Sequence, residues 1–174
     1  MKLKLFMVTT INSIIARDNG EEDFLSHENW KVFCKMLKKD GCLIWGRKTY
    51  EMVVKWGQNY INDLAGATIF IVSSKDNLTL KTNNTFIVRS PKEAIKKIKE
   101  SGFKNAILSG GGKINSSFIK ERLVDEIIIN ISPYLLGKGI KLFSEDNFET
   151  NLKLIKVKKL KKDIVQIYYK VKNA

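Results

Sequence analysis

Six short apolar runs are separated by stretches of helical length, and this alternation leaves the chain few ways to fold. Residues 3–10, 42–45, Thr68–Val72, Thr85–Val88, 106–108 and Glu126–Ile131 read as strands. Between them, Trp30, Phe33, Cys34 and Leu37 fall on one face of a helix predicted over 26–39, with Ser26 as N-cap and Gly41 as stop. Gly46-Arg47 opens a second helix, predicted from Lys48 to about Trp56. Ser90-Pro91-Lys92-Glu93 is a capping box with proline at the first helical position, and Gly102 ends that helix. A fourth helix is predicted over 113–122. Strands that alternate with helices pair in parallel and need helices on both faces. The end of the chain differs: 152–160 and 164–172 predict an antiparallel pair around Lys161-Lys162-Asp163. The expectation is one α/β domain over 1–174, with a mostly parallel central sheet and an antiparallel C-terminal pair. Residues 11–25 read as an irregular polar segment with a turn at Asn19-Gly20.

A chain of 174 residues is long enough to bury a core of its own. No apolar run approaches the roughly 20 residues that span a bilayer. The N-terminus alternates polar and apolar residues as a strand does, so a cytoplasmic protein with no membrane partner is expected. Cys34 and Cys42 fit no metal-binding spacing and make no disulfide framework. His27, the only histidine, reads as a surface residue near a helix start, so no metal site is expected. The net charge of +13 comes from 27 lysines and 4 arginines against 18 acidic residues. Lysine is a diffuse point charge, and no basic strand is interleaved with aromatics, so nucleic acid is not an expected partner. The lysines of 153–162 alternate with apolar residues and read as the solvated face of a strand.

Three places where a strand ends stand out. Gly46-Arg47-Lys48-Thr49, Ser73-Ser74-Lys75 and Gly110-Gly111-Gly112-Lys113 each follow an apolar run. In open α/β sheets ligands bind beyond the carboxyl ends of the strands. Helix N-termini there offer free N–H groups and a positive dipole end. Glycine lets a phosphate approach the backbone, and hydroxyls and lysines add donors. Phosphates spread over several strands point to a dinucleotide, although neither GxGxxG nor GxxxxGK[ST] is present.

The segments "LIWGRKTYE", "IVSSK", "VRSPKEAI" and "LSGGGKINSSFI" resemble the dihydrofolate reductase superfamily in order and spacing. The stretch "LVDEIIINISPYLLGKGIKLF" is most similar to the reductase domain of the riboflavin-pathway deaminase-reductase. The resemblance implies a three-layer α/β/α dihydrofolate-reductase-like fold that binds NADPH and delivers hydride to a pyrimidinone or pterin-type ring. It implies that Gly46, Arg47, Lys48 and Thr49 face the cofactor's phosphates, and that Ser73, Ser74 and Arg89 surround the adenosine 2′-phosphate. Gly110, Gly111, Gly112, Lys113 and Ile114 would cradle the pyrophosphate, with a cis peptide at Gly110-Gly111. Val8, Ile15 and Ala16 would flank the nicotinamide. The resemblance also implies a homodimer, and the exposed-looking run 132–139 is the expected contact.

The substrate half departs from both branches. Where dihydrofolate reductases carry an acid four residues before a phenylalanine, Phe33 puts Asn29. The riboflavin branch's segment for the substrate's ribose phosphate has no counterpart after Tyr50. Asn29, Phe33 and Asn130 are the substrate-pocket candidates, Asn130 because a buried amide amid isoleucines needs partners. Trp30, Trp56 and Tyr134 can be core or pocket wall. Asp125 and Glu126 read as carboxylates that pin a turn. The expected activity is an NADPH-dependent reductase most like 5-amino-6-(5-phosphoribosylamino)uracil reductase. The alternatives are dihydrofolate reductase proper, another reductase of the superfamily, and a non-catalytic nucleotide- or nucleic-acid-binding protein.

Overall fold

The structure is a computed structural model that describes residues 1–75 and 77–172. An eight-stranded sheet organises it. The strands are β1 (Lys2–Thr9), β3 (Cys42–Gly46), β4 (Thr68–Val72), β5 (Thr85–Val88), β6 (Asn105–Leu108), β7 (Glu126–Ile131), β9 (Asn151–Lys159) and β10 (Val165–Lys172). Their order is β5-β4-β3-β6-β1-β7-β10-β9. The first six pair in parallel, and β10 lies antiparallel to both β7 and β9. A second, two-stranded sheet joins β2 (Ile14–Ala16) to β8 (Ile140–Lys141).

Side chains alternate across each strand, and the alternation sorts the core into two layers. Phe6, Leu43, Trp45, Ile69 and Ile71 point to the face covered by helices α1 (His27–Asp40), α2 (Arg47–Trp56) and the short α3 (Gln58–Asn62). Leu3, Leu5, Met7, Cys42, Ile44 and Phe70 point to the other face, under α4 (Pro91–Glu100) and α5 (Gly112–Lys120). This is the three-layer arrangement expected. Leu3, Cys42, Ile44, Ala106 and Leu108 are fully buried, as strands covered on both faces must be.

Local chemistry sets the helix ends. Ser26 caps α1 by accepting from the Glu28 N–H, and Gly41 ends it in the left-handed region at φ 73°. Ser90 caps α4 by accepting from the Glu93 N–H, but the Glu93 carboxylate turns back to the Arg89 N–H at 2.6 Å rather than to Ser90. Asp125 pins the central strand: its carboxylate accepts from the Leu3 N–H at 2.7 Å, while Glu126 pairs with Lys2. Both acids are therefore committed to the fold, as the sequence implied. His27 is exposed at the first turn of α1.

Two expectations need correction. The segment 11–25 is not wholly irregular: it contains β2, held by β8, a partner more than 120 residues away that periodicity cannot reveal. And β9 does not bury its apolar face; every one of its residues is exposed, the lysines and Leu154, Ile155 and Val157 alike.

Candidate functional site

At the carboxyl ends of β3 and β6 two helices start side by side. Gly46 is the N-cap of α2 and Gly111 the N-cap of α5, and neither helix start receives a side-chain cap. The starts of α1 and α4 carry serine caps, while the short α3, like α2 and α5, starts at a glycine with no side-chain cap. The two starts are tied together by the Gly46 N–H, which donates to the Gly110 carbonyl at 2.9 Å. Orphan N–H groups and two positive dipole ends thus converge on one rim.

The three glycines that lead from β6 into α5 answer to three different demands. Gly110 has a φ of +87°, left-handed backbone that favours glycine, and its peptide with Gly111 is cis. A Cβ on Gly111 would meet only the Thr49 Oγ1, at 3.6 Å, so this position is bare toward the cleft. A Cβ on Gly112 would lie 2.5 Å from the Lys141 carbonyl; this glycine serves the packing of the chain around Ser144, not the rim. Gly46 is likewise a close-approach glycine, since a Cβ there would sit 2.6 Å from Ile114. Thr49 faces the Gly110-Gly111 turn, whereas Arg47 pairs with Glu51 at 2.7 Å, and Lys48 and Lys113 stand exposed at their helix starts.

Beyond β4 and β5 a second rim brings Ser73, Ser74 and Arg89 near one another. The Arg89 guanidinium donates to the Ser73 carbonyl at 3.1 Å, which brings the two strand ends together, and Ser74 is exposed beside them. The Ser73 hydroxyl itself closes a turn with Lys75, accepting from its N–H and donating to its carbonyl. It shapes the loop rather than facing out.

From the Gly110-Gly111 turn a cleft of about 440 Å³ runs over the end of β1 toward α1. Val8 and Ile15 form its floor with Met7 and Ser109, while Ala16 is buried in the β2–β8 pair. Trp30, Phe33, Trp45, Trp56 and Tyr60 form an aromatic wall in which Trp30 and Tyr60 meet edge to face at 4.9 Å. Tyr134 is elsewhere, stacked on Phe24.

Asn29 lines the cleft and Asn130 lies directly behind it. The two belong to a chain of donors that runs one way. Tyr168 donates to Gln166, Gln166 Nε2 to Asn130 Oδ1, Asn130 Nδ2 to Asn29 Oδ1, and Asn29 Nδ2 to Ser132 Oγ. All but Tyr168 are buried. Register explains the alignment: Gln166 on β10 sits opposite Asn130 on β7, which sits opposite Val8 on β1. The sequence pointed to Asn29 and Asn130 but not to Gln166 or Ser132, because a polar residue in an amphipathic strand reads as solvated until its neighbour is known.

The acidic run Glu21-Glu22-Asp23, which sequence reasoning missed, lines the mouth of the cleft. Glu21 pairs with Lys55 at 2.7 Å and Asp23 with Arg17 at 2.6 Å, which holds the Asp23 carboxyl below its ordinary range. Glu22 has no side-chain partner among the described residues, and desolvation pushes its carboxyl up to about 8. Three acids in a row within a chain of charge +13 were the signal to notice.

The sequence matches the RibD C-terminal domain family over residues 1–166. The chain belongs to that family. YyaP of Bacillus subtilis strain 168, an uncharacterized protein, is 28% identical over 97% of this chain and 94% of its own. A crystal structure from Shewanella sp. PV-4, provisionally assigned to riboflavin biosynthesis, superposes with a TM-score of 0.85 at 24% identity, covering 99% of this chain and all of that one. Acinetobacter baumannii RibD superposes at 0.79 with 16% identity; 98% of this chain corresponds to 58% of that longer one. The structural likenesses show the fold, a dihydrofolate-reductase-like one within which the RibD C-terminal domain is a reductase-type module. No helix among the described residues is long and apolar enough to cross a membrane.

Proposed function

We propose that this protein is an NADPH-dependent reductase that delivers a hydride to a pyrimidinone or pterin-type ring, working in the cytoplasm as a homodimer. The observation that supports this best is the pair of uncapped helix starts joined at Gly46 and Gly110, opening onto an aromatic-walled cleft. The bare Gly111 leaves room for a pyrophosphate against the N–H groups of α5. Arg47, Lys48 and Lys113 add positive charge at the same helix starts, and Ser74 with Arg89 can receive a 2′-phosphate through charge-assisted bonds. Val8 and Ile15 form an apolar floor for a nicotinamide, and Thr49 is the hydroxyl nearest the turn. The cofactor, when bound, supplies the hydride. The chain's own contribution is to hold the acceptor ring against the aromatic wall that Trp30 and Phe33 share, exclude water, and present hydrogen-bonding atoms to it. Asn29 is aimed by its chain of amides and keeps a second lone pair and a second N–H for that purpose.

A phosphorylated pyrimidine is the substrate that the riboflavin resemblance suggests. One observation favours a second reading. Among the described residues that line the cleft none is lysine or arginine, and three are carboxylic acids. A ribose phosphate would find no counter-ion there, whereas an unphosphorylated pterin or other heterocycle needs none. Calorimetry with NADPH and NADH, followed by NADPH oxidation in the presence of a panel of pterins and pyrimidinones with and without phosphate, tests both readings. NADPH should bind at least ten-fold tighter than NADH. Equal dissociation constants would remove the basis for assigning Ser74 and Arg89 to a 2′-phosphate.

A further inference from the structure

We propose that Glu22 is the proton donor of the cleft, delivering its proton to the ring nitrogen of the acceptor as the hydride arrives at the neighbouring carbon. This inference rests on the reductase reading given above.

Reduction of a C=N bond needs two electrons and two hydrogens. The hydride from a reduced nicotinamide forms the new C–H bond. The π pair then moves to nitrogen and must take a proton there, or the developing negative charge is left in an apolar cleft. The nicotinamide is oxidised, the ring is reduced, and the acid that gave the proton remains as a carboxylate until solvent at the cleft mouth restores it. The site therefore needs an acid that still holds its proton at neutral pH and that reaches the cleft.

Few side chains meet both conditions. The residue at the first-helix position, Asn29, is an amide with no acidic proton to give. Asp125 and Glu126 are bound to β1. Of the acids at the cleft, Glu21 is paired with Lys55 on α2 and Asp23 with Arg17. Glu22 lies between them, partly buried, lines the same cleft, and has no side-chain partner among the described residues. All three acids line the cleft; the outer two are paired with cations and the middle one is not.

The groups that share the cleft do not reverse this. His27 on α1 is exposed and packs edge-on to Tyr60 on α3, and both line the cleft. With no lysine or arginine among the described lining residues, nothing there favours the ionised form of Glu22, and burial raises its titration toward about 8. An acid titrating near the working pH is the kind best suited to proton transfer.

Three proteins test the proposal: the wild type, Glu22→Gln and Glu21→Gln. NADPH binding, followed by fluorescence, is expected to be alike in all three; failure of the wild type to bind would overturn the reductase reading itself rather than the assignment of Glu22. Carbon-13 NMR of protein labelled at the glutamate carboxyls, recorded without any ligand, should show one carboxyl titrating above pH 7. That signal should vanish in Glu22→Gln and persist in Glu21→Gln. Calorimetry with 2,4-diaminopyrimidine, an aromatic base that takes a proton on its ring nitrogen, then reads the donor's reach. The expected result is binding to the wild type that weakens at least ten-fold in Glu22→Gln and less than two-fold in Glu21→Gln. Titration of Glu22 in the ordinary carboxylate range, no binding of the base to the wild type, or equal affinity in Glu22→Gln would each overturn the proposal.

Discussion

The amide of Asn130 donates to the Asn29 carbonyl oxygen over 2.9 Å, and it joins a buried strand to the wall of the cleft. Because Gln166 donates to the other side of Asn130 at 2.9 Å, removing this one side chain strands two buried groups at once. Each unsatisfied buried polar group costs about 1–3 kcal/mol. Asn130→Leu should therefore lower stability by about 2–4 kcal/mol, measured as a shift of the urea midpoint at unchanged slope. It should also loosen Asn29. A variant as stable as the wild type would mean that the chain of amides rearranges freely and does not fix the wall.

Asn29 stands where a dihydrofolate reductase has its acid. Asn29→Asp keeps the acceptor for Asn130, and Ser132 can rotate its hydroxyl to donate to the second oxygen, so the fold has no reason to reject it. Wild-type turnover of dihydrofolate should be weak and should rise in this variant, since a placed acid typically contributes 10²–10⁴-fold. Wild-type turnover at the level of an ordinary dihydrofolate reductase would show that another group already does the work.

Glu22 also leaves a mark on stability. Its carboxyl titrates near 8 in the folded protein and in the usual range, near 4.5, when unfolded. The unfolded state thus loses its proton first, so ionisation costs the folded state a penalty that begins above pH 4.5, grows to pH 8 and is constant beyond. Glu22→Gln should be indistinguishable from the wild type at pH 4 and more stable at pH 8.5, by about 1–3 kcal/mol once partial exposure is allowed for. Thermal unfolding at the two pH values measures this. Equal melting temperatures at both would place the carboxyl in water.

Neighbouring glycines should give opposite phenotypes. At Gly111 an added Cβ meets only Thr49, at an ordinary contact distance, so Gly111→Val should fold and lose NADPH affinity by more than ten-fold. At Gly112 the first carbon already collides with the Lys141 carbonyl at 2.5 Å, so Gly112→Ala should fold less stably even without ligand. Circular dichroism melts beside fluorescence titrations separate the two effects. Unchanged NADPH affinity in a folded Gly111→Val protein would remove the pyrophosphate from this turn.

How far the sequence spoke depended on the range of the interaction. Thr68–Val72, Thr85–Val88 and Glu126–Ile131 were delimited to the residue because their apolar runs end at turn formers. Ser26 and Ser90 announced their helices because capping is a contact within one turn. The β2–β8 pair was not legible, since three residues pair with two that lie far along the chain. In the site, the glycine rim was legible because missing side chains show directly in the letters. That Gly112 serves packing, that Ser73 closes its own turn, and that Glu22 alone of three acids is unpaired all depend on neighbours distant in sequence.

The same distinction bears on assembly. The run 132–139, expected as the dimer contact, does expose Leu135 at 69%, but Tyr134 is stacked on Phe24 and its carbonyl accepts from the Ile11 N–H. A larger bare surface lies on β9, the last strand of the sheet, where Leu154, Ile155 and Val157 are each more than half exposed. An edge strand of nine residues with such side chains pairs readily with a second copy. The interface of the proposed homodimer is therefore expected on β9, related by a two-fold axis as isologous contacts are. Lys153, Lys156, Lys158 and Lys159 lie along the same strand and oppose close approach of two copies. Screening by salt relieves that repulsion, so the dimer should tighten between low and moderate ionic strength. Sedimentation of micromolar protein at two salt concentrations reads this directly, and Leu154→Glu should shift the balance to monomer where Leu135→Glu does not. A monomer in both conditions would defeat the proposal. A dimer broken by Leu135→Glu and indifferent to Leu154→Glu would return the contact to the run after β7.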